Sequence, residues 1–265
     1  MTEDEVHAAA RALVRAEAAA EQIGLLSLAH PGMTMAEAYA VQAAYVTARL
    51  AAGRRQVGWK IGLTSRAMQD ALGIDTPDSG VLLDDMVFES GGVVPKGRFI
   101  QPRVEAEIAF VMKGPLEGAV TREEVVAATD HVCAALEILD TRIVRKDPAT
   151  GTARNVCDTI ADNAANAGIV LGTRHMNPRL VDLRWVGAIV ARDGEVEETG
   201  LGAGVLNDPV MGIVWLAERL ARYGQKIEAG QVVLSGSFIR PVECPAGSMI
   251  EADFGDFGSV SIAFE

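Results

Sequence analysis

Apolar and polar positions alternate with two distinct periods along this chain. Up to about residue 52 the apolar residues recur at helical spacing in Ala-rich surroundings, and two capping boxes open the segments. Thr2-Glu3-Asp4-Glu5 predicts a helix over 2–23, and Thr34-Met35-Ala36-Glu37 one running to about 52, stopped by Gly53. From Gln56 the period shortens. Gly58-Trp59-Lys60-Ile61-Gly62-Leu63-Thr64 is short, Gly-rich and mostly apolar, with one lysine inside it. A short helix follows at 65–72, then a turn at 76–80, Thr76-Pro77-Asp78-Ser79-Gly80. Strands are predicted around 87–88, 104–110, 132–139, 169–171, 232–234, 250–252 and 259–264. Asp193-Gly194 between 185–191 and 196–199 marks a hairpin. Helices are predicted from a third capping box, Thr121-Arg122-Glu123-Glu124, to about 129, briefly at 158–163, and from Asp208-Pro209 to Tyr223, closed by Gly224. Successive strands lack regular helical crossovers, which predicts an α+β fold with a mixed or antiparallel sheet. The expected organisation is a helical part at 1–55 and a β-rich core at 56–265, forming one continuous domain. The helical part reads as a packing or dimerisation arm without chemistry.

The stretch Pro102-Arg103-Val104-Glu105-Ala106-Glu107-Ile108-Ala109-Phe110 breaks the pattern in an informative way. Val104, Ala106, Ile108 and Phe110 keep the strand period, which puts Glu105 and Glu107 on one face, roughly 7 Å apart. Like charges so placed repel unless a cation stands between them. Glu137 lies in Ala134-Ala135-Leu136-Glu137-Ile138-Leu139, where nothing else is charged, and a carboxylate there needs a partner or a metal. Three carboxylates suit Mg²⁺, with Mn²⁺ as the alternative, better than zinc. The competing reading is a solvated Glu pair with Glu137 bound to Arg103 or Arg142. Lys60 is either an acid/base group or a lysine reaching water at a strand end. Asp78, Asp84 and Asp85 read as turn residues on spacing alone, and Asn163 as a helix-terminal or pocket residue. His131 and His175 have no ligand-like spacing, and Gly200-Leu201-Gly202-Ala203-Gly204 lacks the third glycine of a dinucleotide loop.

The net charge of −12, from 24 basic and 36 acidic residues, argues against nucleic acid and anionic membranes as partners. An anionic substrate must then be met by local cations. Three scattered cysteines, an acidic N-terminus and no membrane-length apolar run predict a cytoplasmic protein without disulfides.

Taken in order, Gly58 to Thr64, Pro77-Asp78-Ser79-Gly80, Leu83-Asp84-Asp85-Met86, Pro102 to Glu107, Ala135-Leu136-Glu137, Ala161-Asp162-Asn163-Ala164 and Gly258-Ser259-Val260 resemble the 2-oxopent-4-enoate hydratase/4-oxalocrotonate decarboxylase family. That family lies within the fumarylacetoacetate hydrolase superfamily. The stretch 135–172 most resembles the branch that hydrates 2-oxohept-4-ene-1,7-dioate in homoprotocatechuate degradation. The resemblance implies a mixed β-roll core, a homo-oligomer, and a complex with other pathway enzymes. It implies a metal site at Glu105, Glu107 and Glu137, an active-site lysine at Lys60 and an acid/base aspartate at Asp78. Ala134 and Asp208 depart from it, standing where proline and histidine are expected. The substrate would be a dianionic 2-oxo acid, its second carboxylate met by Arg240 beside Ser237, with Asn163 and Asp84 lining the site. Decarboxylation by the same metal site is the nearest rival. A C–C hydrolase would need a placed histidine, and a non-catalytic partner subunit would have lost one of the four charged site residues.

Overall fold

The computed structural model describes all residues except 66–68, 70–73 and 75. The helix predicted at 65–72 lies outside the described residues. Three helices come first: α1 (Glu3–Ala19), α2 (Leu26–Ala29) and α3 (Met35–Ala51). All three predicted capping boxes are present, Thr2 with Glu5, Thr34 with Glu37 and, further on, Thr121 with Glu124. The first helix stops four residues earlier than its pattern predicts, because Ala20 turns left-handed (φ 51°). The chain then reverses and Ile23 bridges Ile143. The short α2 has no side-chain cap and was invisible in the periodicity.

The strands follow as β1 (Gln56–Gly62), β2 (Asp78–Leu83), β3 (Val87–Glu89), β4 (Gly92–Val94) and β5 (Arg103–Met112). Then come α4 (Arg122–Ala128), β6 (Thr129–Leu139), α5 (Val156–Ala161), β7 (Asn166–Leu171), β8 (Gly187–Arg192) and β9 (Glu195–Leu201). The chain ends with α6 (Pro209–Ala221), β10 (Val232–Leu234), β11 (Val242–Glu243), β12 (Met249–Asp253) and β13 (Ser259–Phe264). The turn predicted at 76–80 is a correction. Asp78, Ser79 and Gly80 pair with Gly62, Ile61 and Lys60 as the start of β2, so pairing with β1 overrides the local turn preference.

One sheet of eight strands runs β2-β1-β10-β5-β6-β7-β3, with β11 also on β5; a second of five runs β4-β13-β12-β8-β9. Pairing is mixed: β1–β10, β3–β7 and β4–β13 are parallel and the others antiparallel. The eight-stranded sheet curls. Its edge strand β2 is tied to the turn before β7 by the Asn163 side chain, which accepts from Val81 N (2.8 Å) and donates to Val81 O (2.9 Å). An amide side chain thereby replaces the strand that β2 lacks on that side. Residues 163–165 all hold positive φ (51°, 54° and 59°), a strained run for non-glycine residues.

The strand period assigns the two faces of the sheet. Val104, Ala106, Ile108 and Phe110 enter a hydrophobic cluster that also takes in Leu13 and Tyr45 of the N-terminal helices. Glu105, Glu107 and Ala109 face into the curl. There a smaller cluster of Leu82, Ala109, Cys133, Ala135, Ile169 and Leu234 forms the floor. The helical arm also braces the sheet: Gln42 of α3 donates to Ser79 O and Ile160 O, both at 2.9 Å.

The curl is locked by Arg142. Its buried guanidinium pairs with Asp162 and donates to Asp162 O (2.7 Å) and Asn166 O (3.1 Å). Replacing Arg142 by Ala leaves the Asp162 carboxylate buried and unpaired, and is expected to destabilise the protein by about 3–5 kcal/mol in denaturant unfolding. A loss below about 1 kcal/mol would show that the pair is dispensable.

Candidate metal centre

Four strands and one turn bring the site together. Adjacent strands β5 and β6 place Glu105 directly opposite Glu137, with Glu107 one pleat further in. A carboxylate oxygen from each of Glu105, Glu107 and Glu137 lies within 4.8 Å of the others. Glu107 and Glu137 are fully buried, and Glu105 is half-buried at the rim. From β1, Lys60 reaches Glu137 (3.2 Å) and donates to Ala164 O (3.0 Å). From β2, Asp78 projects over the same face. Both side chains pass over Gly62, where a Cβ would collide with Asp78 Oδ1 and stand 3.1 Å from Lys60 Nζ. Gly62 therefore leaves room for both side chains beside the cluster.

The electrostatics are those of too many acids around one base. Burial, then the Glu137 charge, pushes Glu105 up to about 8, against the pull of Lys60. Burial followed by Glu137 and Glu105 raises Glu107 well above the carboxylate range. Burial raises Glu137 against the pull of Lys60, and raises Asp78 against Lys60, Arg219 and Arg154. Burial alone would lower Lys60, but Glu137, Asp78, Glu105 and Glu107 outweigh it and hold the ammonium charged.

A divalent cation fits this arrangement. Glu107 Oε1, Glu137 Oε2 and Asp78 Oδ1 are buried without a hydrogen-bond partner. Buried carboxylate oxygens left so are costly, and a hard cation among Glu105, Glu107 and Glu137 would satisfy the two glutamate oxygens, leaving Asp78 Oδ1 free. The remaining oxygens are held in place: Glu107 Oε2 accepts from Gly236 N (2.7 Å), and Glu137 Oε1 from Asn166 Nδ2 (2.9 Å). Such outer contacts orient ligands.

Five predicted residues, Lys60, Asp78, Glu105, Glu107 and Glu137, thus converge. The alternative partners proposed for Glu137 are engaged elsewhere, Arg103 with Glu243 (2.6 Å) and Arg142 with Asp162. Four other predicted residues hold different positions. Asn163 borders the site, but its side chain is consumed in the brace to Val81. Asp84 lies at the far end of β2, accepting from Arg55 N (3.1 Å) and Nε (3.3 Å), so it does not join the cluster. Ser237 bonds within its own loop, to Ile239 O (2.8 Å). Arg240 is 81% exposed and paired with Glu198 (2.6 Å), a correction to its assignment as a carboxylate receptor inside the site. His131 and His175 stack on each other at 3.7 Å and have no part in the cluster.

Sequence reasoning missed Asn166, Gly236 and the Ala164 carbonyl. Asn166 and Ala164 lie within the stretch that carries the family resemblance, and Gly236 stands between two serines directly after an apolar strand. Gly236 has φ 115°, and a Cβ there would overlap Thr64, so only glycine can present this N–H to Glu107.

No family model matches the chain. Individual relatives do. It is 50% identical over 256 residues to 2-oxo-hept-4-ene-1,7-dioate hydratase of Escherichia coli, covering 96% of each chain. It is 40% identical to 2-keto-4-pentenoate hydratase of Paraburkholderia xenovorans, over 100% of this chain and 97% of that one. The 4-oxalocrotonate decarboxylase from Pseudomonas putida G7, solved with magnesium and adipate, superposes with a TM-score of 0.93 at 35% identity, covering 100% and 99%. A putative fumarylacetoacetate hydrolase family protein from Yersinia pestis and fumarylpyruvate hydrolase from Pseudomonas aeruginosa, at 13% and 14% identity, share the fold, with TM-scores of 0.56 and 0.57. The chain belongs to the 2-oxopent-4-enoate hydratase/4-oxalocrotonate decarboxylase family.

Proposed function

We propose that the protein is a metal-dependent hydro-lyase that hydrates 2-oxohept-4-ene-1,7-dioate, presented as its 2-hydroxy-2,4-dienoate enol. The observation that carries this reading is the buried Glu105–Glu107–Glu137 cluster beside Lys60 and Asp78, in a chain 50% identical to a hydratase of that name. Glu105, Glu107 and Glu137 would hold Mg²⁺, or Mn²⁺, which when bound supplies Lewis-acid stabilisation of charge on the 2-oxo oxygen.

The reaction first moves a proton from the enol oxygen to C5. Water then adds across the C3–C4 double bond, hydroxyl to C4 and proton to C3. Lys60, held charged by the surrounding carboxylates, is a cationic donor for developing negative charge, and the Ala164 carbonyl fixes its direction. Asp78 is the proton-transfer group: burial raises its pKa, and Oδ1 has no partner. The apolar floor of Leu82, Ala109, Cys133 and Ala135 keeps bulk water away from the reacting carbons.

Homoprotocatechuate degradation in the cytoplasm is part of the same proposal, supported by the relative's substrate and by three buried, unpaired cysteines. A homo-oligomer is supported by exposed apolar residues such as Leu180, Trp185 and Val196. Some other enzyme of the pathway would supply the dienoate.

Decarboxylation is the second reading, favoured by the superposition on 4-oxalocrotonate decarboxylase. Incubation with Mg²⁺ and a panel of 2-hydroxydienoates and 4-oxalocrotonate decides between them. Loss of diene absorbance with a 4-hydroxy-2-oxo product and no carbon dioxide is expected; carbon dioxide release from 4-oxalocrotonate as the faster reaction would overturn the hydratase reading.

Mg²⁺ should raise the thermal midpoint of the wild-type protein by mass action. Glu105→Gln should fold, lose that response, and lose turnover. Retained turnover in this variant, and in the chelated wild type, would remove the metal from the mechanism. Gly62→Ala, whose Cβ would displace Asp78 and crowd Lys60, should lower kcat by about 100-fold while the unfolding midpoint stays close to wild type; unchanged kcat would show that their placement is irrelevant.

A further inference from the structure

A dianionic substrate brings a second carboxylate, and in a chain of net charge −12 that group needs a cation with free donors. Among the described residues, the cations around the site are almost all engaged. Lys60 is bound to Glu137 and Ala164 O. Arg142 is spent on Asp162 and Asn166. Arg219 lies 3.7 Å over the Tyr39 ring, engaged with an aromatic face. Arg240 is at the surface on Glu198.

Arg154 is different. Its Nη1 is buried with no hydrogen-bond partner, and among the described residues no carboxylate lies within 4.0 Å of the guanidinium. A buried guanidinium nitrogen left unpaired is costly, and a carboxylate is its best geometric match.

Topology puts Arg154 at the open end of the curl. Gly62 ends β1 opposite Asp78, where β2 begins. Leu139 ends β6 opposite Arg103, where β5 begins. Since β1 is parallel to β10 and β10 antiparallel to β5, these termini share one end of the sheet, on which Asp78 and Glu105 stand. The chain leaving Leu139 doubles back at that end through the Lys146–Ala153 bridge and the bond from Arg154 N to Arg145 O (2.9 Å). It then enters α5, which leads directly to Asn163, Ala164 and Asn166 at the cluster.

We propose that the Arg154 guanidinium receives the distal carboxylate of a dicarboxylate substrate whose 2-oxo acid end lies at the Glu105–Glu107–Glu137 cluster. Arg154 thereby selects the seven-carbon diacid over the five-carbon monoacid. The proposal rests on the hydratase reading for the identity of the substrate, while the selection of two carboxylates over one stands on the placement of Arg154.

Two measurements on the Mg²⁺-loaded protein test it. In calorimetry, the wild type should bind adipate more tightly than hexanoate, and Arg154→Ala should lose about 10- to 100-fold on adipate with hexanoate within twofold. In turnover, Arg154→Ala should raise KM for 2-oxohept-4-ene-1,7-dioate by a similar factor and leave 2-oxopent-4-enoate unaffected. Arg154→Lys, which keeps the charge without the fork, should fall between. Arg240→Ala should behave as wild type on both substrates. Unaltered preference in Arg154→Ala, or equal losses on mono- and diacids, would overturn the proposal. If the wild type hydrates neither substrate but its preference for adipate disappears in Arg154→Ala, the hydratase reading falls and the role of Arg154 stands.

Discussion

The mutual repulsion of buried carboxylates organises this protein. Glu105, Glu107, Glu137 and Asp78 face one another across a curled sheet, with Lys60, among the described residues, as the cation paired to the cluster. Left to themselves, such groups take up protons rather than remain charged in an apolar setting, and all four are shifted in that direction. The scaffold therefore holds its own acids in an arrangement they resist. What resists is also what binds: oxygen ligands short of positive charge favour a hard divalent cation.

Holding that arrangement falls to contacts outside the cluster. The Gly236 amide and the Asn166 side chain each fix one oxygen of a glutamate. The Arg142–Asp162 pair anchors the turn that carries Ala164, and the Asn163 side chain couples that turn to the free edge of β2. Gln42 donates to Ser79 O from α3, so the helical arm supports the strand on which Asp78 stands. The arm contributes no reacting group, as its Ala-rich pattern implied, yet the position of Asp78 depends on it.

Much of this was legible in the residues. Period-two apolar residues placed Glu105 and Glu107 on one face, and capping boxes fixed the starts of α1, α3 and α4, because both signals are local. Glu137 stood out as an isolated charge in an apolar strand, and it proved to be directly opposite Glu105. Pairing between distant segments was not legible. Asp78-Ser79-Gly80 has the composition of a turn and becomes a strand through its pairing with β1. The three left-handed residues 163–165 bear two alanines, whose side chains announce nothing about backbone conformation. Arg240 was chosen for its nearness to Ser237, but only coordinates reveal that Glu198 claims it at the surface. Arg154 drew no attention because the absence of a partner cannot be read from a sequence.

The turn at 163–165 also bears on how this site can change over time. The partner that directs Lys60 is a main-chain oxygen, so no substitution of Ala164 deletes it. A larger side chain there changes the cost of the left-handed backbone without removing the acceptor. Drift at this position is consequently buffered, and erosion of the lysine's alignment must come through Asn163 or Asp162, whose side chains keep the turn in shape. A lineage could thus vary the wall beside Lys60 while inheriting its direction unchanged.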